Sequence, residues 1–113
     1  MINTIDYEQF LDVNIRVGTI IKAEVNNLLH KPAIVLQIDF GNKIGIKKSL
    51  AQITVNYEPH NIINKQVVAV INFQPKQIGN FISEVLVLGF PDDLQEPILI
   101  SPDKKITNGL RLY

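Results

Sequence analysis

"VVAVINFQPKQIGNFISEVLVLGF", Val67 to Phe90, decides how this 113-residue chain is read. It opens with the apolar run Val67–Ile71 and closes with another, Val85–Phe90. Short continuous apolar runs bounded by turn residues mark fully buried strands. Two such strands need a connection of only about two to five residues. Here the connection is longer. It holds Pro75, Lys76, Gly79 and several amides, with Ser83 and Glu84 at its exit. If the two runs pair as a hairpin, Asn72 and Ser83 lie near its mouth, with Pro75, Lys76 and Gln77 in the loop above.

Working outward, the preceding residues carry strand patterns. "NIRVGTIIKAEV" alternates, with Ile15, Val17, Thr19, Ile21 and Ala23 expected on one face and Arg16, Lys22 and Glu24 on the other. Gly18 inside it predicts a bulge or sharp bend. "NNLLHKP" reads as a loop. "AIVLQIDF" places Ile34, Leu36, Ile38 and Phe40 on one face, "GNK" is a turn, and "IGIKKSL" is a third strand with Ile44 and Ile46 inward. "AQITVNYEPHNIINKQ" reads as one or two helical turns. Ahead of the strands, "TIDYEQFLDV" predicts a short helix capped by Asp6, with Gln9 completing a capping box. After them come a "PDDLQEP" turn, "ILIS", and the tail "PDKKITNGLRLY".

Three strands, a helical connection, two strands and extensions at both ends are expected as one domain over residues 1–113. That order matches a mainly β fold: a five-stranded OB-fold Greek-key barrel with a short N-terminal helix and a C-terminal β extension. Periodicity also fits another small β-barrel.

Composition narrows the function. At 46% apolar and 19% charged the chain reads as globular rather than disordered. It has no cysteine, so disulfides, thiolate metal sites and Cys nucleophiles are excluded. "MINTIDYEQF" lacks the basic flank and apolar core of a signal peptide, and no apolar run approaches the ~20 residues of a membrane span. A cytoplasmic protein without membrane insertion is expected. His30 and His60 read as loop histidines with no nucleophile beside them. No phosphate-binding glycine motif occurs. Asp92 and Asp93 read as turn residues. No catalytic residue, metal site or cofactor is expected.

The remaining polar groups converge. Formal net charge is zero, yet from Gly41 to Gln77 five lysines (Lys43, Lys47, Lys48, Lys65, Lys76) face one acid, Glu58. Lysines and amides on a barrel face suit a nucleic-acid groove; they equally suit an ordinary solvated surface. Lys47 and Lys48 are adjacent, so a regular strand turns only one of them toward such a groove. Among the aromatics, Phe10, Phe40, Phe73 and Phe90 are expected in the core and Phe81 in the loop, exposed.

"NIRVGTI" (14–20), "DFGNKIGIKKSLAQIT" (39–54), the 67–90 stretch and "SPDKKITNGLRLY" (101–113) together resemble the CsaA family, small homodimeric proteins built on the tRNA-binding OB domain. In tRNA-binding relatives the loop reads roughly N-x-x-P-[KR]-x-x-x-G-x-x-S-E-G-M. Its Asn, basic residue and Ser-Glu pair fall on Asn72, Lys76, Ser83 and Glu84, while Val85 and Leu86 replace Gly-Met. The resemblance implies tRNA as a partner, with Asn72, Lys76, Ser83 and Glu84 at its groove; the polar residues Arg16, Lys47, Lys48, Ser49 and Gln77 complete the expected RNA-binding set. It also implies chaperone-like, secretion-related binding of unfolded or pre-secretory polypeptides, as a second activity or, in the alternative reading, as the main one with little or no physiological tRNA binding; Phe73 and Phe81 are the expected contacts. Homodimerisation through the terminal segments is implied too. Their apolar residues Ile5, Phe10, Ile98, Ile100, Leu110, Leu112 and Tyr113 exceed what a small barrel's own surface covers.

Overall fold

The alternating segments fold as one curled antiparallel sheet. A computed structural model describes residues 1–28 and 30–113; Leu29, inside the expected "NNLLHKP" loop, lies outside the described residues. In chain order the elements are α1 (Tyr7–Leu11), β1 (Ile15–Asn26), β2 (Ala33–Asp39), β3 (Ile46–Ala51), α2 (Pro59–Ile62), β4 (Gln66–Val70), β5 (Lys76–Ile78), β6 (Phe81–Ser83), β7 (Leu86–Val87), β8 (Gly89–Pro91) and β9 (Pro97–Leu99). The main sheet runs β3-β2-β1-β4-β7, while β5–β6 and β8–β9 form two small hairpins. This is the OB arrangement, a half-barrel with α2 between its third and fourth strands.

The core lies inside the curl. Ile20, Ile34, Leu36, Ile38, Phe40, Ile53, Ile62, Val67, Ala69 and Val85 form one buried cluster. Each large side chain there contributes about 1.5–3 kcal/mol relative to exposure. A one-residue slip of β2 would turn Ile34, Leu36 and Ile38 to solvent together, so the core fixes its register. The predicted helix forms with its capping box: the Asp6 carboxylate accepts the Gln9 N–H and the Gln9 side chain accepts the Asp6 N–H, both at 2.8 Å. Asp92 holds its turn as expected. It accepts from Glu96 and Leu94 backbone N–H groups and the Asn56 amide. The Glu96 bond is the main cause holding its carboxyl below the usual pKa, with Asn56 next.

Several side chains face opposite to expectation. In β1, Gly18 and Ile20 point into the core, and Ile21 is exposed. The register shift lies between Ile20 and Lys22, not at Gly18, and it restores Ala23 to the core side. Gly18 is needed for close approach instead: a Cβ there would sit 2.6 Å from Ile38 Cγ2 and 2.8 Å from the Phe40 ring. In β3, Ile46 is exposed, because the Ile38↔Lys47 and Leu36↔Ser49 pairs assign the inner face to Lys47, Ser49 and Ala51. Phe40 is core, but Phe73 and Phe90 are exposed by 56% and 68%, so two of the expected core aromatics face solvent.

The tail wraps its own barrel. Odd residues at the start of β1 have no β2 partner, and the tail takes that edge. The Val17 N–H donates to Leu110 O, and the Gly109 and Leu112 N–H groups donate to Val17 O and Ile15 O. Buried Gln66 clamps the same tail through Ile106 O, Asn108 Oδ1 and the Ile106 N–H.

Gly18→Ala is expected to destabilise the fold by about 1–3 kcal/mol, the cost of overpacking a filled core. Urea denaturation measures it; unchanged stability would mean the Ile38–Phe40 contact yields.

Candidate functional site

The long connection after β4 is a hairpin of its own. Lys76 pairs with Ser83, Gln77 with Ile82 and Ile78 with Phe81. Gly79 and Asn80 make the two-residue turn, with Gly79 at φ 58°, the position where a type II′ hairpin takes glycine. The Gln77 amide donates to Gly79 O at 2.7 Å and braces the turn.

The hairpin exit is bonded to β3. The Glu84 N–H donates to Lys48 O at 2.8 Å, and the Lys48 N–H donates to Glu84 Oε1 at 3.0 Å. The Leu50 N–H donates to Ser83 Oγ at 3.2 Å, and the Ser49 hydroxyl donates to Val85 O at 3.0 Å. Ser83 and Glu84 thus each use one side-chain oxygen, and Glu84 its backbone N–H as well, to hold the loop against the barrel.

Between β3, the hairpin and the start of β7 lies a groove of about 470 Å³. Leu50, Ile78, Val85 and Leu86 wall it, Phe73 and Gln74 stand at one side, and Lys76, Ser83 and Glu84 supply its polar groups. The β2–β3 register is unbroken, so Lys47 and Lys48 point to opposite faces. Lys48 shares the outer face with groove residue Leu50, and its ammonium lies 5.6 Å from the Phe81 ring centroid, a cation–π contact.

The structure brings together only part of the set read from sequence. Lys76, Ser83 and Glu84 line the groove, Lys48 lies beside it, and Gln77 is exposed on the hairpin. Ser49 does not reach a surface: it is 2% exposed and bonded to Val85 O, because its parity in β3 turns it inward. Asn72 bridges the link between α1 and β1, accepting the Asn14 N–H and donating to Asp12 O. The Arg16 guanidinium donates to Asn14 Oδ1 and to Gly109 O in the tail. Phe81, expected to be exposed, is half-buried with Lys48 over its ring, while Phe73 is open to solvent. The apolar groove wall was missed; Leu50, two residues after Lys48 on the same strand face, was its legible signal.

Among the terminal residues, Ile5, Ile98, Leu110, Leu112 and Tyr113 are exposed, and Phe10 and Ile100 are half-buried. Among the described residues no group of three His, Cys, Asp or Glu side chains is placed to hold a metal ion. No helix among them is long and apolar enough to cross a membrane.

Residues 15–111 match the family model described as "Putative tRNA binding domain". The crystal structure of chaperone CsaA from Bacillus anthracis str. Ames is similar at TM-score 0.92 and 41% identity, covering 98% of this chain and 100% of that one. The CsaA chaperone protein from Picrophilus torridus is similar at TM-score 0.89 and 45% identity, covering 97% and 100%. The methionine–tRNA ligase of Methanococcoides burtonii is 30% identical over 109 residues, 96% of this chain but 16% of the ligase. The chain therefore spans a small fraction of the ligases it matches.

Ser83→Ala leaves the Leu50 N–H without its acceptor, and a stability loss of about 1 kcal/mol is expected. Thermal melts and binding assays on the same preparation separate its two roles. A loss of stability with unchanged affinity per folded molecule would make Ser83 purely a brace.

Proposed function

The chain belongs to the tRNA binding domain family, in its CsaA branch, and from that premise we propose that it binds tRNA without catalysing a reaction. The observation that carries this reading is the groove beside β3, where Lys48 and Lys76 accompany the Ser83–Glu84 pair. Lysines held near a groove neutralise phosphates, and the neighbouring polar groups meet sugars and base edges. The family is not a known catalytic one.

A chaperone-like activity toward unfolded or pre-secretory polypeptides accompanies it in this reading. Its support is exposed apolar surface, including Phe73 beside the apolar groove. The protein is proposed to work in the cytoplasm as a homodimer. The seam is the apolar face of the terminal segments, where Leu110 and Leu112 remain 51% and 43% exposed. A second copy would cover them symmetrically.

Lys76→Ala is expected to weaken binding about equally for all tRNAs and to reduce the log–log salt slope by about one unit. Salt-titrated binding to bulk tRNA measures both; an unchanged slope removes Lys76 from the site. Sedimentation equilibrium is expected to give about twice the 12.8 kDa chain mass. An interface of more than about 1,200 Å² in total is expected. The double substitution Leu110→Lys with Leu112→Lys should yield folded monomers, and a monomeric mass for the unsubstituted protein would refute the dimer.

A further inference from the structure

The groove is more apolar than a site for phosphates alone requires. Leu50, Ile78 and Leu86 form its walls, and Phe73 lines it while 56% exposed. A surface that reads only the backbone of a double helix is built from cations and hydrogen-bond donors. Here the cations stand beside a greasy cleft that carries an open aromatic ring. Among the described residues, neither Lys48 nor Lys76 has an acidic side chain within ion-pair distance. The one carboxylate in the groove, Glu84, has Oε1 occupied by the Lys48 N–H.

An unpaired nucleotide has the matching chemistry. Its base is flat and apolar on both faces, and its flanking phosphates are anionic. Bases inside a duplex are stacked and cannot enter such a cleft, whereas those in loops and single strands can be splayed onto an aromatic side chain. We propose that this groove receives one unstacked base of a single-stranded RNA segment, stacked on Phe73 between the Leu50 and Leu86 walls, with Lys48 and Lys76 on the adjoining phosphates. The inference rests on reading the groove as the RNA site and adds what part of the RNA it takes. An apolar peptide side chain would fill the same cleft. The unpaired lysines favour the polyanion, since an unfolded polypeptide carries no regular array of negative charge.

Three RNA probes test it: oligouridylate of about 12 nucleotides, its counterpart with abasic residues, and a blunt duplex of about 16 base pairs. Phe73→Ala is expected to weaken oligouridylate binding about ten-fold or more, the effect of removing a base-stacking aromatic. The same variant should leave the abasic strand and the duplex unchanged. Phe73→Tyr, which keeps the ring, should retain affinity, and thermal melts confirm that both variants fold. Equal losses on all three probes, or none on oligouridylate, would overturn the proposal. So would a loss confined to an unfolded polypeptide, which would assign the cleft to peptide. Lys76→Ala on the same probes separates the two levels. If it weakens every RNA while Phe73→Ala weakens none, the groove remains the RNA site and the base pocket fails. If neither variant changes RNA binding, the groove itself is not the site.

Discussion

The hydrogen bonds from Ser83, Glu84 and Val85 to β3 are what the rest of the structure depends on. β3 and β7 are the two ends of the sheet, and the curl must bring them together without a regular ladder between them. A reciprocal pair of bonds joins Lys48 and Glu84, and two serine hydroxyls add the rest. Each contributes about 0.5–1.5 kcal/mol net, more where the Glu84 carboxylate accepts. Against a total stability of about 5–15 kcal/mol for such a domain, that sum is substantial. The same bonds set the hairpin upright beside the barrel and so create one wall of the groove.

The opposite side of the barrel is finished by a different device. The tail supplies the β1 edge with partners that β2 does not reach, and Gln66 pins it from β4. Gly109 permits the crossing: at φ +91° it brings its backbone to where a Cβ would lie 2.4 Å from Phe40 O. This pairing leaves Leu110 and Leu112 exposed. A tail that saturates its own sheet edge with hydrogen bonds still offers an apolar face to a second copy.

Much of the fold was legible because period-2 patterning is strong where one face is buried. β2 reads correctly, since Ile34, Leu36, Ile38 and Phe40 alternate without interruption. The capping box of Asp6 and Gln9 is a local signature needing no tertiary context. β1 misreads because the shift after Ile20 changes its parity midway, and a bulge leaves no mark in composition. β3 misreads because its inner face carries the polar residues Lys47 and Ser49 where the pattern leads one to expect apolar ones. Of the expected RNA-binding residues, Lys76, Ser83 and Glu84 line the groove, and they belong to one continuous stretch. Arg16, Ser49 and Asn72 make hydrogen bonds within the fold. Several of their partners, Gly109, Val85 and Asp12 among them, are distant in sequence, so the pairing is not legible there.

Lys48 and Lys76 stand at the edge of an apolar cleft walled by β3 and the hairpin. tRNA is proposed to bind the face built by β3 and the β5–β6 hairpin. The most direct test is to titrate isotope-labelled protein with tRNA at moderate salt and follow its backbone amide resonances. The account predicts shifts and broadening concentrated at Lys48, Leu50, Phe73, Lys76–Ile78 and Ser83–Leu86. Perturbations confined to the β8–β9 hairpin and the tail from Ile106 to Leu112, with the groove silent, would contradict it.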